Sequence, residues 1–133
     1  MRRVLIALLL VAAGWSQAAE ELQVRKKYGV KYVTGGMTTE QRRLLDEVSA
    51  KYPVQLYFHV EGSDQPISGV KVVARDVKGD VVLEAESEGP VLFFETTGGR
   101  YTVEAEYKGE KISFTKDLVG RRYLVLEYKF HGS

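Results

Sequence analysis

The 133-residue chain contains no cysteine, only two histidines and only three prolines. Without cysteine it has no disulfide, no thiolate metal ligand and no residue for lipid attachment, so the fold must be stable without covalent cross-links. The chain also lacks a strong charge excess, because 19 Lys and Arg face 18 Asp and Glu. This balance does not favour a nucleic-acid partner, which requires a basic surface.

The first residues have the pattern of a cleavable signal peptide. Arg2 and Arg3 precede an apolar run over residues 4–13, and small residues follow up to Ala18. The apolar run is shorter than the ~20 residues that a membrane-spanning helix needs. We therefore predict a signal peptide over residues 1–18, and a mature protein that is periplasmic or secreted and has no membrane span.

Two segments precede the strand-rich part of the chain. Residues 19–37 mix lysines and arginines with tyrosines and valines, which suggests an N-terminal arm. Its tyrosines pack on the domain while its lysines stay in water; contact with an anionic polymer or membrane surface is the alternative. Residues 38–52 are predicted to be a helix, with a Thr38 and Gln41 capping box and Leu44 and Val48 on one face. A helix this short should dock on the sheet or cap one end of it.

From residue 53 to residue 133 the apolar period changes from 3.6 to 2, and turn residues recur about every ten positions. The clearest strand runs from Arg100 to Tyr107, with Tyr101, Val103 and Ala105 predicted to face the core. The uniformly apolar stretch 91–94 allows no assignment of faces. We predict a mainly β fold: a seven-stranded antiparallel β-sandwich of transthyretin-like or Ig-like outline with one short N-terminal helix. A small closed barrel is the alternative.

Two runs carry a family resemblance: PISGVKVVARDVKGDVVLEAESEG at 66–89 and GGRYTVEAEYKG at 98–109. They resemble the carboxypeptidase regulatory-like domain, and the matching positions are Pro66, Gly69, Val70, Asp76, Gly79, Phe93, Gly99, Tyr101, Val103 and Gly109. The resemblance implies a seven-stranded transthyretin-like sandwich. It implies no ligand, because these positions are turn and core positions. Residues 28–36 and the helix are also similar to short exported proteobacterial proteins that carry this domain.

The sequence contains few candidates for chemistry. His59 is predicted on the polar face of a strand shortly before Ser63 and Asp64, but no nucleophile turn or oxyanion pocket accompanies it. His59 and His131 belong to no zinc-enzyme motif. Three glutamates alternate along one segment too widely to share one calcium ion, namely Glu84, Glu86 and Glu88. We therefore predict no catalytic residue, no metal and no cofactor.

The candidate contacts for a ligand or partner are Tyr57 and Tyr123, which have outward parity on their strands, together with His59. Exposed edge strands could also accept a strand from a partner. The preferred hypothesis is a non-enzymatic periplasmic module that binds a protein or a cell-envelope component. One alternative is a small transthyretin-like hydrolase of the 5-hydroxyisourate type, suggested by the C-terminal residues 130–133. A second alternative is an oligomeric structural subunit of the envelope, and homo-oligomerisation is left open.

Overall fold

The structure, a computed structural model, describes residues 22–132. The predicted signal peptide therefore lies outside the described residues. The described chain is mainly β and forms two sheets with one short α-helix. None of the helices in residues 22–132 combines the length and the apolar character needed to cross a membrane.

The elements follow one another along the chain in a simple order. They are β1 (Arg25–Lys27), β2 (Val30–Gly35), α1 (Thr39–Val48), a 3-10 turn (Ser49–Lys51), β3 (Val54–Val60), β4 (Lys71–Arg75), β5 (Val81–Glu86), β6 (Val91–Phe94), β7 (Arg100–Tyr107), β8 (Glu110–Asp117) and β9 (Leu124–Phe130). The first sheet has five strands in the spatial order β1-β2-β6-β3-β9. The second sheet has four strands in the order β5-β4-β7-β8.

The predicted number of seven strands is wrong, because the described chain has nine. The seven predicted strands correspond to β3 to β9, and the additional two are β1 and β2, in the segment predicted to be an arm. Tyr28 and Gly29 make the turn between them with positive φ angles of 54° and 79°. β2 pairs with β6, which buries Tyr32 and Val33 while Lys31 stays exposed. The basic residues between the apolar ones obscure the apolar alternation of this strand in the sequence.

The prediction of a wholly antiparallel arrangement is also wrong. β3 and β9 run parallel, from Val54 opposite Leu124 to Val60 opposite Phe130, whereas the other strand pairs are antiparallel. Alternation of apolar and polar residues is the same in either orientation, so it carries no information about strand direction.

Side chains from both sheets belong to one hydrophobic core. Leu56 and Phe58 of β3 contribute from the first sheet, and the second sheet contributes the inward residues of β7. The predicted inward parity of β7 is confirmed, because Tyr101, Val103 and Ala105 are 6%, 0% and 0% exposed. The buried hydroxyl of Tyr128 donates to the carbonyl of Val103 at 2.8 Å, which links β9 to the second sheet.

The helix begins where the sequence predicts and ends earlier. The Thr38 hydroxyl accepts a hydrogen bond from the Gln41 N–H at 3.1 Å, which confirms the Thr38 half of the predicted capping box. The side chain of Gln41 accepts from the N–H groups of Gly36 and Met37. The α-helix ends at Val48, and residues up to Lys51 continue as a 3-10 turn.

The helix docks on the outer face of the first sheet, as one of the two predicted arrangements has it. Leu45 is the buried residue of the helix and packs in a second cluster, while Leu44 and Val48 are half-buried. We call this set the outer cluster: Val33, Leu45, Tyr52, Val91 and Phe93.

Candidate functional site

A groove lies on the outer face of the first sheet, between α1 and the strands β3 and β9. Its volume is about 390 Å³. We call it the helix groove, and it is lined by Arg42, Leu45, Asp46, Tyr57, Phe58, His59, Pro90, Val91, Phe93 and Glu127. Apolar groups of the outer cluster form its floor, and polar side chains from α1, β3 and β9 form its rim.

Local structure explains why these residues meet. Because β3 alternates, Leu56 and Phe58 are buried while Tyr57 and His59 lie on the opposite, outer face. The parallel register places Glu127 of β9 directly opposite Tyr57. The helix supplies the second wall with Arg42 and Asp46, which are four residues apart and therefore lie on one helix face.

His59 and Glu127 form the closest charged contact in the groove. The Nε2 atom of His59 is 3.1 Å from Oε1 of Glu127, although the orientation of the two groups does not meet hydrogen-bond geometry. The imidazole is 42% exposed as a whole, but its Nε2 atom is buried. The contact is therefore an ion pair when the imidazole is protonated.

Tyr57 forms an aromatic wall of the groove. Its ring packs edge-on against Phe93, with ring centroids 5.9 Å apart, and its hydroxyl lies 3.4 Å from Oε1 of Gln55. Burial, and secondarily the negative charge of Asp46, raises the pKa of Tyr57 above its ordinary value of 10.0. The side chain is consequently neutral at physiological pH and offers an apolar ring with a hydrogen-bonding hydroxyl at the rim.

A second depression of about 270 Å³ adjoins the helix groove and shares Arg42, Phe58, His59 and Pro90 with it. It extends to the loop of residues 63–66. The Ser63 hydroxyl accepts a hydrogen bond from the N–H of Gln65, and within residues 22–132 no hydrogen bond joins His59 to Ser63 or Asp64. His59, Ser63 and Asp64 thus do not form a catalytic relay here, and the loop serves as an extension of the groove.

The three predicted contact residues do not all meet. Tyr57 and His59 both line the helix groove, whereas Tyr123 does not. The hydroxyl of Tyr123 donates to the carbonyl of Ala50 at 3.0 Å, so it attaches the segment before β9 to the 3-10 turn. This contact gives Tyr123 a structural role at the far end of the helix.

The other histidine lies at the end of β9. His131 binds Glu110 of β8 twice, through its backbone N–H at 2.8 Å and through Nδ1 at 2.9 Å. The backbone hydrogen bond of His131, together with its imidazole, lowers the pKa of Glu110 below its ordinary value of 4.5. In the part of the chain that the structure describes, no group of three or more acidic or histidine side chains could hold a metal ion.

Beyond Tyr57 and His59, sequence reasoning did not predict the other lining residues of the groove, among them Arg42, Asp46, Phe93 and Glu127. The i, i+4 spacing of Arg42 and Asp46 gave a usable signal, because it places both on the helix face beside the buried Leu45. The position of Glu127 depends on the parallel pairing of β3 with β9, which has no local signal in the sequence.

Comparison with known proteins adds no family to this description. No protein-family model matches the chain, and a search of the curated proteins finds no significant match. The resemblance to the carboxypeptidase regulatory-like domain therefore depends on the residues of the sequence alone.

Proposed function

We propose that the chain is a non-enzymatic binding module of the cell envelope, exported by a signal peptide over residues 1–18. In this proposal the helix groove holds a segment of a protein or of an envelope component. The observation that carries the proposal is the groove itself, an open cleft with an apolar floor and a few convergent polar groups at its rim.

The proposal includes the finer fold. We infer that the two sheets pack as a β-sandwich of the carboxypeptidase regulatory-like, transthyretin-like kind. Two observations support this inference: both sheets contribute side chains to one core, and β3 to β9 occupy the positions of the seven predicted strands. In this arrangement β1 and β2 extend the first sheet beyond the seven-stranded pattern.

The residues at the rim of the groove indicate what kind of partner it would bind. Arg42 is exposed and forms no ion pair within residues 22–132. Its guanidinium donates one long hydrogen bond, 3.4 Å, to the Thr39 hydroxyl. Its guanidinium is therefore available to an acidic group of a partner. Tyr57 and Phe93 below it offer an aromatic surface for an apolar side chain. A segment with one apolar anchor beside one acidic group fits both features.

Site-directed photo-crosslinking in the living cell tests this function. A photoreactive amino acid at position 42 should capture one defined protein or glycan partner, and Tyr57→Ala should abolish that capture. The matched control carries the same photoreactive residue in place of Glu104, on the outer face of the second sheet. Equal capture at positions 42 and 104, or no capture combined with no binding of the mature protein to peptidoglycan or glycans, would contradict the proposed function.

The hydrolase alternative, which the C-terminal residues 130–133 suggest, needs a separate assay, and His131 is the titratable residue among them. His131 is held by Glu110 and lies outside the helix groove. Incubation of the mature protein with 5-hydroxyisourate should give the same loss of absorbance as buffer alone. A faster loss that disappears in His131→Ala would replace the binding module with an enzyme.

A further inference from the structure

Strand β9 is an edge of the first sheet, and among residues 22–132 no strand pairs with its outer backbone groups. The N–H of Leu124 donates to the carbonyl of Pro53 at 2.7 Å, and the N–H of Glu61 donates to the carbonyl of Phe130 at 2.7 Å. Even-numbered residues of β9 therefore point their backbone groups toward β3. Because the direction alternates along a strand, the N–H and C=O groups of Val125, Glu127 and Lys129 point the other way, where the first sheet has no further strand within residues 22–132.

The side chains at this edge are exposed and complementary to themselves. Val125 is 58% exposed, and Glu127 and Lys129 are also exposed. An antiparallel pair of two identical strands that is centred on Tyr128 sets Glu127 of each copy opposite Lys129 of the other. Residues 127 and 129 both direct their backbone groups outward, so each such pair exchanges two backbone hydrogen bonds in addition to its ion pair.

We propose that the mature protein self-associates through β9, antiparallel, with Glu127 of one copy opposite Lys129 of the second copy. This interface is isologous, so two ion pairs and four backbone hydrogen bonds form by symmetry. It joins the two first sheets into one continuous sheet across the dimer. The occupant of the edge is a second copy of this chain because the edge carries one acidic and one basic residue in self-complementary register.

Two of the three remaining sheet edges do not offer this match. β1 presents three consecutive basic residues, Arg25, Lys26 and Lys27. The exposed charges of β5 are both acidic, at Glu84 and Glu86. Like charges opposite each other destabilise a strand pair. On β8, self-pairing centred on Phe114 would set Lys111 opposite Asp117. Asp117, however, already lies 3.9 Å from Arg100 and accepts the N–H of Val119.

Glu110 limits the free edge at its C-terminal end. Its Oε1 atom accepts the outward N–H of His131 at 2.8 Å. In the proposed register His131 lies opposite Val125 of the second copy, whose carbonyl would accept the same N–H. Glu110 therefore competes with the second copy for this donor, and its removal should favour self-association.

Charge reversal, measured by sedimentation equilibrium of the mature protein up to about 1 mM, tests the interface. Wild type should form a dimer. Glu127→Lys and Lys129→Glu should each weaken the dimer about tenfold or more, because each change sets two like-charge pairs opposite each other by symmetry. The double variant Glu127→Lys with Lys129→Glu restores opposite charges and should dimerise again. Both side chains are exposed, so the variants should keep the wild-type circular dichroism spectrum.

Several outcomes would overturn the proposal. Wild type that stays monomeric throughout this range removes it, and so does a double variant that dimerises no better than the single variants. Glu110→Ala should tighten the dimer, and a weaker dimer would exclude this register. If amide exchange at Val125, Glu127 and Lys129 is equally fast in dilute and concentrated protein, a dimer seen by sedimentation uses another surface. Lys129 does not line the helix groove, so Lys129→Glu separates self-association from partner binding there.

Discussion

The outer faces of the two sheets differ, although both sheets share one core. On the first sheet, β6 is buried on both sides, because α1 covers its outer residues Val91 and Phe93. On the second sheet, β7 alternates between buried and partly exposed residues, because no helix covers its outer face among residues 22–132. A charged surface that includes Glu104 and Glu106 remains there instead.

This difference shows that the apolar pattern of a strand depends on what covers its outer face as well as on its position in the sheet. A strand with one buried face shows alternating apolar and polar residues, whereas a strand buried on both faces shows a continuous apolar run. The helix groove exists because this cover is partial. The helix covers β6 and leaves the outer residues of β3 partly open at its side.

The largest expected effect is a loss of stability on the outer face of β6, compared with a substitution on the outer face of β7. Phe93→Ala should lower the free energy of unfolding by about 3 to 5 kcal/mol, because Phe93 is 1% exposed and its removal leaves a cavity under the helix. Glu104→Ala, on the outer face of the second sheet, should change it by less than about 0.5 kcal/mol. Urea unfolding followed by circular dichroism measures both. Equal losses would mean that the two outer faces are equally buried in solution.

The helix itself provides the next test. Leu45→Ala should cost about 3 kcal/mol, because Leu45 is 1% exposed in the outer cluster. The adjacent Leu44 is only half-buried and serves as the matched control, so Leu44→Ala should cost less than half as much. Chemical denaturation of the two variants side by side gives the ratio. If Leu44→Ala proved the more damaging change, the rotation of the helix on the sheet would be wrong.

A smaller effect is expected at the start of the helix. Thr38→Ala removes the acceptor of the Gln41 N–H and should cost about 1 kcal/mol. Thr39→Ala is the control one residue later and should cost under about 0.5 kcal/mol. Thermal unfolding distinguishes the two. If Thr38→Ala cost no more than Thr39→Ala, the cap would not stabilise the cover over β6.

The smallest effect concerns the contact between the sheets at Glu110 and His131. The pKa of Glu110 is lower in the folded state than in the unfolded state. The contact therefore contributes fully to stability at a pH above the unfolded-state pKa, and this contribution is lost as the pH falls through the folded-state pKa. An NMR titration should place the carboxyl of Glu110 below 4.5. His131→Ala removes the imidazole and keeps the backbone donor, so the pKa of Glu110 should rise only part of the way. An unchanged pKa would show that the backbone N–H alone lowers it.

Much of the second sheet was predictable from the sequence. The alternation at Tyr101, Val103 and Ala105 identified β7 and its inner face, because one face of this strand is buried and the other is partly exposed. The faces of β6 were not predictable, since a run of four apolar residues contains no period. β1 and β2 were missed because their lysines and arginines interrupt the apolar pattern.

Two residues of the groove were predictable for a similar reason. Tyr57 and His59 follow from the parity of β3 alone. Glu127 and Arg42 reach the same place only through the pairing of β3 with β9 and the docking of α1. Tyr123 has the same outward parity as Tyr57 but binds the carbonyl of Ala50, so parity identifies an outward side chain and does not identify its neighbour.

The parallel pairing of β3 with β9 also has a kinetic consequence. Val54 and Leu124 are opposite each other although 70 residues separate them along the chain. β3 therefore gains its second neighbour only when the distant β9 pairs with it, while the β4–β5 and β7–β8 hairpins need only local closure. Non-local pairing of this kind slows folding, and until it occurs β3 is an open edge that is prone to aggregation. We expect the last seven-residue strand to set the rate of the final folding step.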